Sequence, residues 1–411
     1  MRIKFIALSL LLLICCSIAL KESDLIRQSF THAEQQTRLL LKQVSEKREK
    51  MKNEKFGDDK KSELIAPRTL KAGELVLVPS RDWTSGFFSG VLWYLYEYTG
   101  KEEWKKEAQA FNAKMEPEKW NGKTHDMGFK MYCSYGTGYR LTNDAAYRDI
   151  LIQSAKTLST RFRPATGVMR SWDHSRDKWG FPVIIDNMMN LELLFFATRV
   201  TGDSSFYKIA VSHAKTTMKN HYRADNSSYH VLDYDTLTGA VLKKNTHQGY
   251  SHESAWSRGQ AWGLYGYTMC FRETKDVSFL LQAEKIATYI LDHPNKTEDL
   301  IPYWDYNAPH IPNEPRDASA AAVTASALYE LSLYSTKGKM YRAKADKIVG
   351  NLSKNYTSPA GQNNGFILLH STGSKPSNSE VDVPLCYADY YYLEALLRKQ
   401  KLKKNKNLEK L

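Results

Sequence analysis

An all-α chain built as a ring of helical hairpins, an (α/α)6 toroid, is the architecture this sequence predicts, and three observations carry it. Apolar helix-like segments recur along the chain, each closed by a short polar turn and followed by a charged amphipathic helix. The turns are Tyr98-Thr99-Gly100-Lys101, Leu141-Thr142-Asn143-Asp144, Val200-Thr201-Gly202-Asp203, Glu273-Thr274-Lys275-Asp276 and Ser335-Thr336-Lys337-Gly338. The first helix of each pair is apolar all round, which marks an inner helix, and the second is polar on one face, which marks an outer one. No Gly/Ser-rich or Pro-rich linker divides the chain. Residues 20–411 are therefore expected to form one barrel domain with a basic C-terminal tail.

Taken in order, Met1, Arg2 and Lys4 precede an uncharged run from Phe5 to Leu20, and Ser17-Ile18-Ala19 offers a small-x-small cleavage site. This predicts a signal peptide over residues 1–19 and export, with the periplasm as destination. The run falls short of the roughly 20 apolar residues of a comfortable transmembrane span, and no transmembrane segment is expected later. Cys15 and Cys16 keep lipoprotein processing open as an alternative. The amphipathic stretch from Ser23 to Arg48 is the outer helix that could close the ring. Inner helices are read at 86–99 (GFFSGVLWYLYEYT), 183–197 (VIIDNMMNLELLFFA) and 318–334, and outer ones at 101–115 and 339–356. A sixth inner helix, ADYYYLEALLR at 388–398, has no partner after it.

Composition narrows the function classes. The hydrophobic fraction of 42% supplies a sizeable core, and 25 Tyr, 15 Phe and 9 Trp suit sugar faces as well as cores. A formal charge of +13, part of it in the tail from Lys399 to Lys410, attracts polyanions in general. For an exported protein an acidic polysaccharide fits better than nucleic acid. Cys133, Cys270 and Cys386 sit in apolar or aromatic segments without CxxC spacing, which argues against a disulfide framework and a zinc site. No metal or cofactor is expected.

The toroid brings all inner-helix N-termini to one rim. The residues arriving there are Arg81-Asp82-Trp83, His125-Asp126, Asp186-Asn187, Trp256-Ser257-Arg258-Gly259-Gln260, Arg316-Asp317 and Asp389. Asp186, at the mouth of an apolar helix, is either an N-cap or a reagent, since Asp is favoured at N-caps. Asp317 and Asp389 are expected to be caps.

The segments WTSGFFSGVLWYLYEYTG (83–100), HDMGF (125–129), IIDNMMNLELLFFA (184–197), QGYSHESAWSRGQAWGLYG (248–266), IPYWDY (301–306), RDASAAA (316–322) and EVDVPLCYADYYYLEALLR (380–398) resemble those of unsaturated glucuronyl hydrolases, glycoside hydrolase family 88. The resemblance runs in order from Trp83 to Arg398 and implies the same toroid. It also implies hydration of the C4=C5 double bond that polysaccharide lyases leave on a non-reducing uronate, which releases that sugar as a keto acid. By the resemblance Asp186 is the general acid and base and Asp126 the second acidic residue. The resemblance also implies that Trp83, His125, His230, Gln248, Trp256, Arg258 and Trp262 line the sugar and water pocket.

Physically, two nearby carboxylates would hold one proton near neutral pH, and the Arg258 fork suits a uronate carboxylate. Core packing is an equal reading for Trp262. His247 and His252 are expected at the surface. The loop HSTGSKPSNSE (370–380) offers Ser371, Ser374 and Lys375 to the next sugar or a sulfate, or is a plain polar loop. Alternatives are the sister activity on unsaturated rhamnogalacturonan fragments, an ordinary inverting glycosidase with carboxyl groups roughly 6.5 to 9.5 Å apart, and an exported carbohydrate-binding protein. The expected partners are unsaturated uronyl oligosaccharides.

Overall fold

The computed structural model describes residues 2–53 and 64–403. Its helices are α1 (Arg2–Asn53), α2 (Ser85–Thr99), α3 (Glu102–Met115), a π-helical segment (Gly128–Gly136) that runs on into α4 (Thr137–Thr142), α5 (Ala145–Ser159), α6 (Leu191–Thr201), α7 (Ser204–Asn220), α8 (Ser257–Thr274), α9 (Val277–Asp292), α10 (Ala318–Leu331), α11 (Gly338–Asn355) and α12 (Cys386–Lys403). α2, the π segment with α4, α6, α8, α10 and α12 each pack on the next, and α12 returns to α2. α3, α5, α7, α9 and α11 back them, and α1 lies against α2, α11 and α12. The ring is the (α/α)6 toroid that the hairpin repeat predicts.

One local device makes four of the hairpins. Thr99, Thr142, Thr201 and Thr274 each turn a hydroxyl back to the carbonyl four residues earlier, at 2.6–2.7 Å. The next residue, Gly100, Asn143, Gly202 or Lys275, takes a left-handed φ between 55° and 75° that ends the helix. The threonine hydroxyl then accepts the N–H two residues on. Asp144, Asp203 and Asp276 start the outer helices as N-caps, accepting from the N–H two residues ahead at 2.8–3.0 Å. Ser335 replaces this device before α11, its hydroxyl accepting from the Lys337 N–H at 3.0 Å.

Inner helices carry the core. Every residue of α10 is buried, as are Phe87, Leu92 and Trp93 of α2. Each large apolar side chain withdrawn from water stabilises by roughly 1.5–3 kcal/mol. Toward the C-terminal end of the ring the axis turns polar. Arg272 pairs with Glu192 and with Glu330 (2.9 Å), Arg398 pairs with Glu330 (2.8 Å), and the Tyr265 and Tyr94 hydroxyls donate to Glu394 at 3.0 and 3.1 Å. A cavity of about 50 Å³ lies among Tyr94, Tyr132, Glu192, Tyr265 and Glu394.

Two features depart from the sequence reading. Short strands occupy the connections: β1 (Leu64–Lys71) with β2 (Glu74–Pro79), β3 (Phe162–Arg163) with β4 (Val168–Met169), and the antiparallel order β5 (Pro182–Ile184), β6 (Val231–Tyr234), β7 (Val241–Asn245). They satisfy backbone groups in segments leading to the inner helices, where side-chain periodicity is short-lived. The basic tail also starts later than predicted. Lys399 is buried in α12 and paired with Asp346, and Lys401 pairs with Glu97 at 2.8 Å; residues 404–411 lie outside the described residues. The predicted leader forms the first part of α1. Among the described residues no helix is long and apolar enough to cross a membrane.

Candidate active site

Strand register sets the centre of the site. Ile184 faces Val231 across β5 and β6, and the next pairing outward, Ile185 N–H to the His230 carbonyl at 3.1 Å, leaves Asp186 and His230 side by side. A slip of one residue would reverse every side chain of β6. From β5 the chain enters a 3-10 turn (Ile185–Asn190) that leads into α6. The Asn187 amide fixes this turn, accepting from the Ser171 hydroxyl at 2.9 Å and donating to the Met169 carbonyl at 2.8 Å. Asn190 accepts the Phe129 N–H at 3.0 Å. Gly128 permits that contact, because a Cβ there would stand 2.6 Å from the Asn190 Cα. Asp126 is thus carried to the same rim as Asp186.

Asp186 is 8% exposed, and its Oδ2 has no hydrogen-bond partner. The residue at the N-cap position of its turn is Ile184, so Asp186 is not the cap of that turn. Burial pushes its pKa up to about 7; Arg258 opposes the shift, Asp126 adds to it, and the Trp262 indole N–H opposes it without closing a full hydrogen bond. Desolvation thus outweighs the neighbouring carboxylate, the reverse of the emphasis expected from sequence.

His230 Nε2 lies 3.7 Å from Asp186 Oδ2. Its Nδ1 accepts the backbone N–H groups of His247 and Gln248, both at 3.1 Å, which places the proton of the neutral ring on Nε2. Burial holds its pKa well below the usual histidine value. Asp126 accepts the Thr124 hydroxyl at 2.7 Å and lies 3.2 Å from His125 Nε2. Burial drops the His125 pKa to about 4.

An aromatic lining joins these groups. Trp83 packs on Phe129 (5.4 Å between ring centres) and Tyr387 (4.9 Å), Phe129 on Trp262 (5.1 Å), and His230 on Trp256 (4.6 Å). Trp262 and Trp256 are buried and Trp83 is partly open. The structure therefore brings together all the predicted site residues. Phe129 lies within the HDMGF segment, but neither it nor Tyr387 was singled out; Tyr387 follows Cys386 in α12 and looks like one more core tyrosine in sequence.

Arg258 departs from its expected role. Its guanidinium is 1% exposed, with Nη1 donating to Asp317 and the Thr372 carbonyl and Nη2 to the Gly373 carbonyl, each at 2.6 Å. The fork expected to meet a uronate carboxylate is filled by the protein, and Nε alone is unpaired. The cation still acts on Asp186 through space and lies over the Trp256 ring at 4.5 Å.

Asp317 is the N-cap expected, accepting from Ser319 and Ala320 N–H. Asp389 is not a cap: it accepts the Ile367 and Leu368 N–H groups at 3.0 and 2.8 Å from another segment, and burial raises its pKa to about 7. His247 and His252 are exposed as expected. In the 370–380 loop Ser371 is buried while Ser374 and Lys375 are half-buried. Among the described residues no cluster suits a metal ion.

Known proteins resemble this chain in sequence and in fold. An unsaturated glucuronyl hydrolase of Formosa agariphila is 50% identical over 340 residues, covering 82% of this chain and 85% of that protein. The crystal structure of an unsaturated glucuronyl hydrolase specific for heparin matches with a TM-score of 0.85 and 45% identity, over 93% of this chain and 98% of that one. A mutant unsaturated glucuronyl hydrolase of Streptococcus agalactiae, complexed with dGlcA-GalNAc6S, matches with a TM-score of 0.71 and 29% identity over 91% and 90%. The family model of Glycosyl Hydrolase Family 88 spans residues 58–400, so Asp126, Asp186 and the inner helices up to all but the last turn of α12 fall within it, and the chain belongs to that family.

Proposed function

We propose that Asp186 is the single proton donor and acceptor of an unsaturated glucuronyl hydrolase that acts on glycosaminoglycan-derived oligosaccharides. The observation that carries this is a buried carboxyl with an unpaired Oδ2 and a pKa of about 7, facing a neutral histidine N–H. Such an acid holds its proton near neutral pH and can give it up. The carboxyl protonates C4 of the enoate, and positive charge spreads over C5 and the ring oxygen. Water adds at C5 and returns a proton to Asp186. The hemiketal opens to a ketone, and the hemiacetal left at C1 expels the rest of the oligosaccharide. His230 Nε2 and Trp262 Nε1 are unpaired donors beside the carboxyl that serve to orient it and the water. Asp126 adds negative potential that favours the protonated acid.

A glycosaminoglycan source is supported by the heparin-specific relative and by the net positive charge. The leader is proposed to direct export to the periplasm, which intact-mass analysis of the mature N-terminus tests. The activity is tested by incubating the protein with lyase-generated disaccharides from heparin, hyaluronan, chondroitin and pectin and following the ultraviolet absorbance of the conjugated enoate. Loss of absorbance on the glycosaminoglycan substrates is expected. Turnover of the pectin fragment alone would reject the assignment.

A further inference from the structure

On the rim beside the site stands an ion cluster that the sequence analysis did not single out. Arg68, on β1, donates from Nη1 to Asp82 at 2.8 Å and from Nε and Nη2 to the two Glu380 oxygens at 2.6 and 2.9 Å. Each partner is fastened to a wall of the site. Asp82 precedes Trp83, and its other oxygen accepts the Thr84 N–H (2.9 Å) and hydroxyl (2.6 Å) at the start of α2. The Glu380 carbonyl accepts the Gly373 N–H at 2.7 Å, and Ser374 and Ser379 exchange backbone bonds above it. Gly373 in turn offers its carbonyl to Gln248 (3.0 Å) and Arg258 (2.6 Å). A Cβ on Gly373 would stand 2.5 Å from a Glu380 carboxylate oxygen, so the turn closes directly on the clamp. β1 is itself anchored there, with the Thr69 hydroxyl donating to the Pro384 carbonyl at 2.7 Å.

We infer that Arg68 is a positioning residue for substrate selection, holding the 373–380 turn against the Trp83 wall so that the turn meets the sugar that follows the uronate. This rests on the proposed hydrolysis. The turn carries Ser374 and Lys375 at its half-buried edge, while the uronate itself lies deeper, beside Asp186, where Arg68 makes no contact. A bidentate guanidinium suits the task because it fixes an angle as well as a distance. Cutting the clamp should therefore weaken recognition of the second sugar and leave the chemistry alone.

The test compares two substrates: an unsaturated disaccharide, and an unsaturated glucuronide carrying only a methyl aglycone. In Arg68→Met, and in Glu380→Gln as a second and milder variant, KM for the disaccharide should rise about tenfold with kcat within about twofold, while both constants for the methyl glycoside hold. Arg68→Lys should restore part of the disaccharide KM. Hydrogen exchange over residues 373–380, read without substrate, should quicken in both clamp-breaking variants. Equal losses on the two substrates, no loss on either, or unchanged exchange in the turn would overturn the inference. A wild-type protein that consumes neither substrate would sink the hydrolase reading instead, and the exchange measurement would still decide whether Arg68 holds the turn.

Discussion

His230 Nε2 stands 3.7 Å from Asp186 Oδ2, with its other ring nitrogen held by two backbone N–H groups. The histidine therefore serves as a fixed neutral donor, and proton transfer falls to the carboxyl. His230→Gln retains an N–H near the Nε2 position and should keep part of the rate. His230→Ala should cost about 10²- to 10³-fold in kcat, in line with the loss of one preorganised donor. Steady-state kinetics on an unsaturated disaccharide checks the order of the two variants; equal losses would remove the donor role.

Asp186→Asn should lower kcat by about 10³ or more while the protein stays folded, because general acid–base transfer contributes about 10² to 10⁴ and one group serves two transfers here. Circular dichroism with enoate absorbance reads both quantities. Near wild-type turnover would return Asp186 to a structural role and point to Asp126.

The working acid is the protonated form, so wild-type kcat should fall as pH rises through about 7. Stability changes in the same sense. Because the folded carboxyl binds its proton more tightly than the unfolded one, the native state holds more protons between pH 4 and 7, and stability declines across that window as pH rises. Asp389, also raised to about 7, adds to the decline. The melting temperature of Asp186→Asn minus that of wild type should therefore grow from pH 4 to pH 8. A flat difference would mean that the carboxyl titrates normally.

Arg258→Lys should raise KM and lower the melting temperature together. The lysine keeps a charge but cannot serve Asp317, Thr372 and Gly373 at once, and breaking a buried pair costs about 3–5 kcal/mol when a charge is left without a partner. Denaturant unfolding at pH 7 measures the loss, for which about 2 kcal/mol or more is expected because the charge survives. A rise in KM at unchanged stability would instead restore Arg258 to direct recognition of the uronate.

Arg398→Met tests the polar axis far from the chemistry. It removes one of the two arginines paired with Glu330 and a donor to the Tyr265 hydroxyl. Because Arg272 stays on Glu330, destabilisation of about 1.5–3 kcal/mol is expected, with kcat/KM of the folded protein within about twofold. A large loss of activity at intact stability would tie the axis to catalysis.

Local chemistry made the ring legible. A threonine that bonds back into its helix, a left-handed residue and an aspartate cap are adjacent in sequence, so the hairpins can be read from Thr142-Asn143-Asp144 or Thr201-Gly202-Asp203 directly. Asp186 could be singled out because a carboxylate before an apolar helix is conspicuous. What stayed hidden were partnerships made at a distance. The Arg258 fork is filled by groups 59, 114 and 115 residues away, and Asp389 serves N–H groups 21 and 22 residues back. A sequence displays donors and acceptors but not which of them are already taken. Arg68 was missed for the same reason, since Glu380 lies 312 positions further on.

The seat of α1 bears on the order in which the molecule can be assembled. Its Gln36 side chain donates to the carbonyls of Gln362 and Phe366, and Ser29 receives the Tyr392 hydroxyl at 3.0 Å. These partners lie 326, 330 and 363 positions further along the chain and are synthesised that much later. The face of α1 that meets α11 and α12 must therefore wait uncovered while the intervening hairpins form, although Phe30 can already stack on Tyr98 of α2, and the circle shuts only when α12 arrives. Closing so long a loop is slow in entropic terms, and an exposed apolar helix invites association in the interval. The cost of a ring whose two chain ends meet is thus borne during biosynthesis, at a stage when the pocket around Asp186 still lacks the wall supplied by Tyr387.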